Sequence, residues 1–494
     1  MNPYMKRTLK GESLAFTIAV IALLMMSVIM LRESSGSPVY PLGDSYYSLR
    51  IAGEISRDPF LDQDPVQQRP YYPNAYHYFL AAMIWAVGES NTVYLAPVLL
   101  GCMSAALLYW LLRNMGLPSN NANLSSLLLA AAPAFIAIFS NLSTEGFVAF
   151  LSLLTLCLYF EKDYWDYPWK LSGRIYYGLS IFSLSALALT SLFGFVMTMI
   201  FLLALSFLAK RPLRSLTFAL AGPVVVLIPV GIFTEYLRVS LASTGFHPFD
   251  LRQSFSIFGA GIGLDLFLLL LFATGLIIIW GFIKALRPYH LFSIGLVAAS
   301  LFNPIIRVYA SMVITVYCVV AIKHLYYRKW ELEIVKSGTV ILLACALVFS
   351  AVNQINALAN MEPGPEAADA LAFLKSGGGD VVFTEPSYGS LIQYSAGKRT
   401  MLDSASYLYP DYEDKLGDYR YTLGLTPLKE AEPMMIKHNI SYILITPAMK
   451  ERVWGGKERN LLLLLRNSAK FTEAYETPGG FEVWEYVGAR PDLE

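Results

Sequence analysis

Charge is scarce in this chain. Of its 494 residues only 15% are charged, with 37 basic against 37 acidic side chains, so no basic excess points to a nucleic-acid partner. Cysteine is scarcer still: Cys102, Cys157, Cys318 and Cys345 all lie inside apolar runs, and a disulfide framework is not expected. The histidines (His77, His247, His290, His324 and His438) show no metal-ligand spacing and have no cysteine nearby. Walker loops, nucleophile elbows and dinucleotide fingerprints are missing; "GAGIG" at 259–263 is a lone glycine cluster opening an apolar run. Ionisable residues inside the apolar runs are few, which argues against an ion-coupled transporter or flippase. There is no internal repeat and no low-complexity tract.

Apolar residues are abundant: they make up 55% of the chain, and mean hydropathy is +0.49. Repeated apolar runs of about 20 residues imply a polytopic α-helical membrane protein. The first run, 14–31, follows Lys6, Arg7 and Lys10. Arg32, Glu33 and Ser34 after it offer no small-residue cleavage site, so it reads as a retained anchor rather than a signal peptide. Further runs fall at 92–112, 123–140, 146–160, 175–191, 193–209, 214–233, 262–283, 289–303, 306–324 and 335–355, about eleven spans with the anchor. The shorter run 75–88 reads as a re-entrant or interfacial helix. If it does not cross, Arg113, Lys162, Lys170, Arg174, Lys210, Arg211, Arg214, Lys284, Arg287, Lys323, Arg328, Lys329 and Lys336 all fall on the cytoplasmic face with the N-terminus. The outer face then receives the loop 32–91, the turn 141–145, the loop 234–261, the turn 303–306 and the region after 356. The division expected is a transmembrane domain over 1–355 and an extracytoplasmic α/β domain over 356–494. In the latter, "DVVFTEP", "ISYILI" and "GFEVWEYV" read as strands, and "PEAADALAFLKS" and "KEAEPMMIKHN" as helices.

The outer loop concentrates carboxylates: Asp44, Asp58, Asp62 and Asp64 lie within "PLGDSYYSLRIAGEISRDPFLDQDP". Its apolar spacing (Tyr47, Leu49, Ile51, Ala52, Ile55) predicts an amphipathic helix at the membrane interface with Asp44 at its N-terminal end, where it could serve as a cap. Asp62 and Asp64 bracket one residue, a spacing that suits a divalent cation and is equally common in turns. Glu145 sits in the tight turn "SNLSTEGF", where either a partnered carboxylate at the membrane border or simple stabilisation of the next helix, capped by Ser143 or Thr144, accounts for it. Arg307 opens a span after an Asn-Pro turn and either holds a phosphate at headgroup level or snorkels to the interface.

Taken together, "GDSYYSLRIA…DPFLDQDP…YYPNAYHYFLA" and "PAFIAIFSNLSTEGF" resemble the C-type membrane glycosyltransferases, most closely the catalytic subunit of archaeal and bacterial oligosaccharyltransferases. That family carries a catalytic aspartate in a first-loop pattern like D-x-Y-Y-H-L-R. Asp44 falls on it, Tyr46, Tyr47, Leu49 and Arg50 match, and Ser48 replaces the histidine. The resemblance implies that Asp44 and Glu145 are catalytic and hold a divalent cation, Mg or Mn. It also implies that Arg307 contacts the phosphate of a polyprenyl-phosphate-linked sugar or oligosaccharide lying in the bilayer. Asp62, Asp64 and His77 are further first-loop candidates. The family's acceptor-gripping W-W-D-Y-G is matched by "EPSYG": Glu385, Pro386 and Ser387 replace W-W-D, while Tyr388 and Gly389 remain. Ser387, Tyr388 and Gly389 are thus the acceptor-side candidates. Without an ionised acceptor for a hydroxyl proton, the substrate implied is not the usual Asn-x-Ser/Thr sequon. The alternative is a non-catalytic relative that binds a lipid-linked glycan or scaffolds a partner.

Overall fold

The computed structural model describes residues 3–161, 171–208, 266–282, 287–409, 411–424, 428–457 and 459–487. The span expected at 214–233 and the loop 234–261, with Glu235, His247 and Asp250, lie outside these residues. The other apolar runs are helical: Pro3–Ser34, Glu89–Asn114, Thr144–Tyr159, Leu171–Thr190, Leu192–Leu208, Leu266–Phe282, Arg287–Ser300, Pro304–Tyr327 and Glu333–Ala359. The run 123–140 is broken into Ser119–Ala131 and Pro133–Phe139, which meet at 69°. Pro133 opens the second piece, where its ring clashes with continuation of the first helix and its missing N–H costs least. Among the described residues four helices are long and apolar enough to cross a membrane, five if the bent pair counts as one. Helices such as Thr144–Tyr159 and Leu192–Leu208, with 16 and 17 residues, stop short of that length, so the count of about eleven is not matched helix for helix.

The chain forms two compact units, one of 1–28, 74–76 and 93–359, the other of 29–73, 77–92 and 360–494. In the helical unit, apolar walls contribute little that lipid would not, and hydroxyl pairs tie helices together. Ser152 Oγ and Tyr309 Oη lie 2.6 Å apart, Thr198 Oγ1 donates to Ser152 at 2.8 Å, and Thr155 pairs with Ser183 at 2.8 Å.

The second unit contains the sheet. β1 (Gln63–Asp64) and β2 (Arg69–Pro70) form a small antiparallel ladder with Asp64 opposite Arg69. A separate five-stranded sheet has β3 (Val381–Phe383), β4 (Arg399–Thr400), β5 (Ile440–Ile445), β6 (Phe471–Glu476) and β7 (Glu482–Tyr486) in the order β4-β3-β5-β7-β6. β3 is parallel to β4 and β5, and β7 runs antiparallel to β5 and β6. The strands expected from "DVVFTEP", "ISYILI" and "GFEVWEYV" are β3, β5 and β7, and the expected helix "PEAADALAFLKS" is Pro365–Ser376. Edge strand β6 was not legible, because Phe471 is its one buried residue and its remaining positions read as polar surface.

The strands bury Phe383, Ile443, Ile445 and Trp484 against Met435, Leu461 and Leu465 of the covering helices. Phe383 is fully buried and stacks on Tyr419 with ring centroids 5.2 Å apart. Truncation there leaves a cavity that β3 cannot close, and Phe383→Ala is expected to cost about 3–5 kcal/mol in denaturant unfolding of the purified chain.

Candidate active site

The expected first-loop helix forms over Asp44–Arg57, but its first two turns are buried on every face from Ser45 to Ala52. It is a core helix of its unit, packed against the helix Pro386–Ala396, rather than one with a solvated polar face. Gly43 occupies the cap position with φ 144°, a conformation glycine tolerates, and makes no side-chain capping bond. Asp44 is therefore the first helical residue, near the positive end of the helix, and its carboxylate is not used as the cap. It alone in this stretch remains exposed, though set in a dense mass of protein. That crowding pushes its pKa up; the Ser404 hydroxyl donating to it pulls the value down, the Asp403 charge raises it, and Arg69 lowers it.

The other carboxylates beside it are occupied. Arg50 donates to both oxygens of Asp64, at 2.6 and 2.7 Å, and also to Gln393 Oε1 at 3.0 Å. Arg69 reaches Asp64 at 3.2 Å and donates to both oxygens of Asp403, at 2.7 and 2.9 Å. The result is a buried chain Arg50–Asp64–Arg69–Asp403 in which the charges alternate and the side chains are almost wholly enclosed. Burial alone would raise both carboxylates. For Asp64 the hydrogen bonds and charge of Arg50, with the charge of Arg69, outweigh it and hold the pKa below the usual value. For Asp403 the charge and bonds of Arg69, with Gln393 and Ser406, do the same. Gln393 Nε2 donates to Asp403 Oδ2 and Thr400 Oγ1, both at 2.8 Å, and Gln67 Nε2 donates to Thr400 Oγ1 at 3.0 Å. Arg69, Gln67, Gln393, Asp403 and Ser404 were missed by sequence reasoning. The loop carries no local signal for them, because Gln393 and Asp403 lie more than 300 residues further along the chain.

The remaining first-loop candidates are structural in geometry. Tyr46 Oη donates to the Tyr40 carbonyl at 2.9 Å and accepts from its N–H at 3.0 Å. The buried Tyr47 ring lies under the Arg69 guanidinium, 5.0 Å from its centroid, and edge-on to His77. His77 is buried with Nδ1 3.0 Å from Tyr71 Oη, and burial depresses its pKa to about 3. Asp62 is exposed, and its carbonyl accepts from Tyr71 N–H at 2.8 Å. On the acceptor side, Tyr388 and Gly389 are buried. Ser387 is half-buried beside Glu385, which accepts from the Thr446 hydroxyl at 3.1 Å.

Glu145 and Arg307 belong to the helical unit. Glu145 is in the first turn of Thr144–Tyr159, whose cap is Ser143: its hydroxyl accepts from Gly146 N–H at 3.0 Å. The Glu145 charge acts on Tyr76. Arg307 lies in the first turn of Pro304–Tyr327, capped by Asn303, and its Nε donates to the Ser300 carbonyl at 3.1 Å, with the guanidinium half-exposed. Among the described residues no three His, Cys, Asp or Glu side chains come together to hold a metal ion. Asp64 is neutralised by two arginines and is not free to ligate a cation.

The fold is that of the C-type membrane glycosyltransferases. The chain superposes on the apo Archaeoglobus fulgidus oligosaccharyltransferase with TM-score 0.64 at 14% identity, over 97% of this chain and 75% of that one. The same organism's enzyme AglB, in complex with an inhibitory peptide and a dolichol-phosphate, gives 0.63 at 14%, over 97% and 75%. ArnT from Cupriavidus metallidurans, bound to undecaprenyl phosphate, gives 0.61 at 13%, over 95% and 97%. No protein-family model matches the chain, and no curated protein matches it by sequence. The resemblance read from the first loop thus holds in three dimensions.

Removing one member of the ion chain leaves a buried charge uncompensated. Arg69→Met should cost about 3–5 kcal/mol in unfolding, far more than Arg57→Met, whose exposed pair with Glu54 is of the kind worth at most about 1 kcal/mol. Because Asp64 and Asp403 have folded pKa values below the unfolded aspartate value of 3.8, their contribution is present above that pH and is lost as pH falls below it. An acid titration followed by circular dichroism should show the wild type losing stability steeply below about pH 4. The double replacement Asp64→Asn with Asp403→Asn should flatten that limb.

Proposed function

We propose that this chain is a membrane glycosyltransferase that moves a sugar or oligosaccharide from a polyprenyl-phosphate-linked donor to an acceptor on the outer face of the membrane. The carrying observation is Asp44: an exposed carboxylate without an ion pair among the described residues, on a buried helix whose neighbouring acids are neutralised by arginine. The fold likeness supports the donor class, since the ArnT and AglB structures were obtained with undecaprenyl phosphate and dolichol-phosphate. In this reading Asp44 acts as general base or orients the acceptor group, and Glu145 contributes negative charge at the membrane border.

Arg307 holds the donor phosphate through charge-assisted hydrogen bonds. Its guanidinium is only partly used by Ser300. The helix it opens continues along an apolar cavity of about 330 Å³, lined by Met312, Val313 and Val316, a setting compatible with a hydrocarbon chain. The N-terminus is cytoplasmic, the loop 32–91 and the region after 356 are external, and the acceptor is not the usual sequon, given Glu385, Pro386 and Ser387 in place of W-W-D. A transmembrane domain over 1–355 and an external one over 356–494 remain the division proposed.

The test is transfer of radiolabelled sugar from lipid-linked donor in membranes of the source cell that contain the full chain. Asp44→Asn is expected to reduce transfer at least about a hundredfold, in keeping with loss of a general base, while the protein still accumulates. Arg307→Gln should instead weaken use of the donor, raising its KM. Unchanged transfer by Asp44→Asn would remove Asp44 from the mechanism, and donor binding without any transfer by the wild-type chain would favour a non-catalytic glycan-binding protein.

A further inference from the structure

We propose that Phe60 and one face of the helix Ala75–Val87, from Tyr78 to Trp85, form an anchor that seats the sheet-containing unit in the interfacial layer of a lipid bilayer. The proposal does not depend on the reading of Asp44.

Phe60 and Trp85 are the most exposed large apolar side chains among the described residues, at 90% and 84%. Exposed rings gathered on one surface mark a binding face rather than a site at rest in water. The helix that carries Trp85 has a protein side, where His77, Leu80 and Ala81 are buried. Its other side exposes Tyr78, Ala82, Trp85 and Ala86, which share one helical face. The alanines leave a flat strip between the two rings. Tyr78 also brings in the loop tip, since its Oη donates to the Pro59 carbonyl at 3.1 Å. The next residue is Phe60, whose N–H donates to Asp58 Oδ1 at 3.1 Å in a turn that leaves the ring outside. Phe60 therefore stands at the Tyr78 end of the strip, and Trp85 lies about 10 Å further along the helix axis.

The occupant is lipid on grounds of charge, length and chain continuity. From Pro70 to Gly88 the chain has no Asp, Glu, Lys or Arg, whereas exposed Asp58, Asp62 and Glu89 border the strip. With 13 residues the helix is about 20 Å long, too short for a hydrocarbon core of about 30 Å. Its two ends are also tied to the same unit, the first through Tyr78 and Pro59. Just past the second, Glu89 accepts from Tyr394 Oη at 3.0 Å. Of the re-entrant and interfacial forms open to such a run, these ties favour the interfacial one. Gly88, at φ 84°, stops the helix, and Glu89 at once begins Glu89–Asn114, which is long and apolar enough to cross a membrane. The strip thus ends where the chain enters the bilayer. Tryptophan is favoured at that level, with its ring among the acyl chains and its N–H toward water. The loop tip continues from the helix Asp44–Arg57 and runs into β1, where Asp64 joins the buried ion chain. An anchor at Phe60 sets the depth of that helix at the membrane.

The test places the full chain in nanodiscs of equal parts phosphatidylcholine and phosphatidylglycerol, with a photoreactive phenylalanine analogue at position 60, 85 or 436. Ile436 is the control: it is exposed in the same unit, on a helix that also carries Lys429, Glu430, Glu432 and Lys437. After irradiation, mass spectrometry should find at least about tenfold more lipid adduct at 60 and at 85 than at 436, because acyl chains come within reach only at the interface. The fluorescence lost on Trp85→Phe should be quenched more by lipids brominated near the glycerol than by lipids brominated at the chain end. Adducts to a second protein chain, or lipid adduct at 60 or 85 no greater than at 436, overturn the proposal. So does quenching that is strongest from the chain end, which would mean a deeply inserted hairpin.

Discussion

A buried chain of alternating charge, Arg50–Asp64–Arg69–Asp403, holds the loop helix and the C-terminal sheet region as one body. Ions taken out of water gain little net stability, and apolar side chains of equal volume would hold two surfaces together as well. What the ions add is register. Each guanidinium fork meets carboxylate oxygens in the plane it requires, so residues 50, 64, 69 and 403 accept one arrangement. A second strap works through neutral acceptors: the buried Arg32 guanidinium donates to the carbonyls of Pro38 at 2.9 Å, Met361 at 2.7 Å and Pro363 at 2.9 Å. Both devices tie segments more than 300 residues apart in sequence.

The elements were legible where apolar residues run continuously or at regular spacing, as in the strands β3, β5 and β7 and the apolar helices. The break at Ala132–Pro133 was concealed, because mean apolarity continues across it while the proline ends the hydrogen-bond ladder. The site was half legible. A first-loop pattern separated Asp44 from its neighbours, but periodicity put the helix at an interface, since polar positions such as Ser48 and Arg50 read as its wet face. Arg50 is buried because its charge is met by Asp64, with Gln393 accepting a further N–H, and a partner as distant as Gln393 leaves no local trace. Asp64 shows the converse error: its spacing from Asp62 suits a cation, and the cation it meets is arginine.

Residues 385–389 depart most from the motif that the sequence resemblance implies. A gripping carboxylate after two tryptophans is replaced by Glu385 ahead of the helix, Pro386 at its first position and Ser387 behind it. Proline there costs no backbone bond, and the helix that follows turns Tyr388 and Gly389 inward. Those two residues resemble a recognition motif in sequence and act as core in structure: Tyr388 meets Phe481 edge-on and Gly389 meets the 402–403 backbone.

One acid of the loop stands apart from the others. Asp58 caps its own turn through the Phe60 N–H at 3.1 Å and is solvated, Asp62 is exposed, and Asp64 is neutralised. Asp44 is crowded enough to be less acidic than a free aspartate, yet open enough to be reached. A carboxylate fully wrapped by guanidinium is too weak a base to take a proton, and one fully solvated has no fixed direction. Asp44 lies between those limits: burial raises its pKa, no guanidinium among the described residues pairs with it, and its place in the first helical turn fixes where its carboxylate starts.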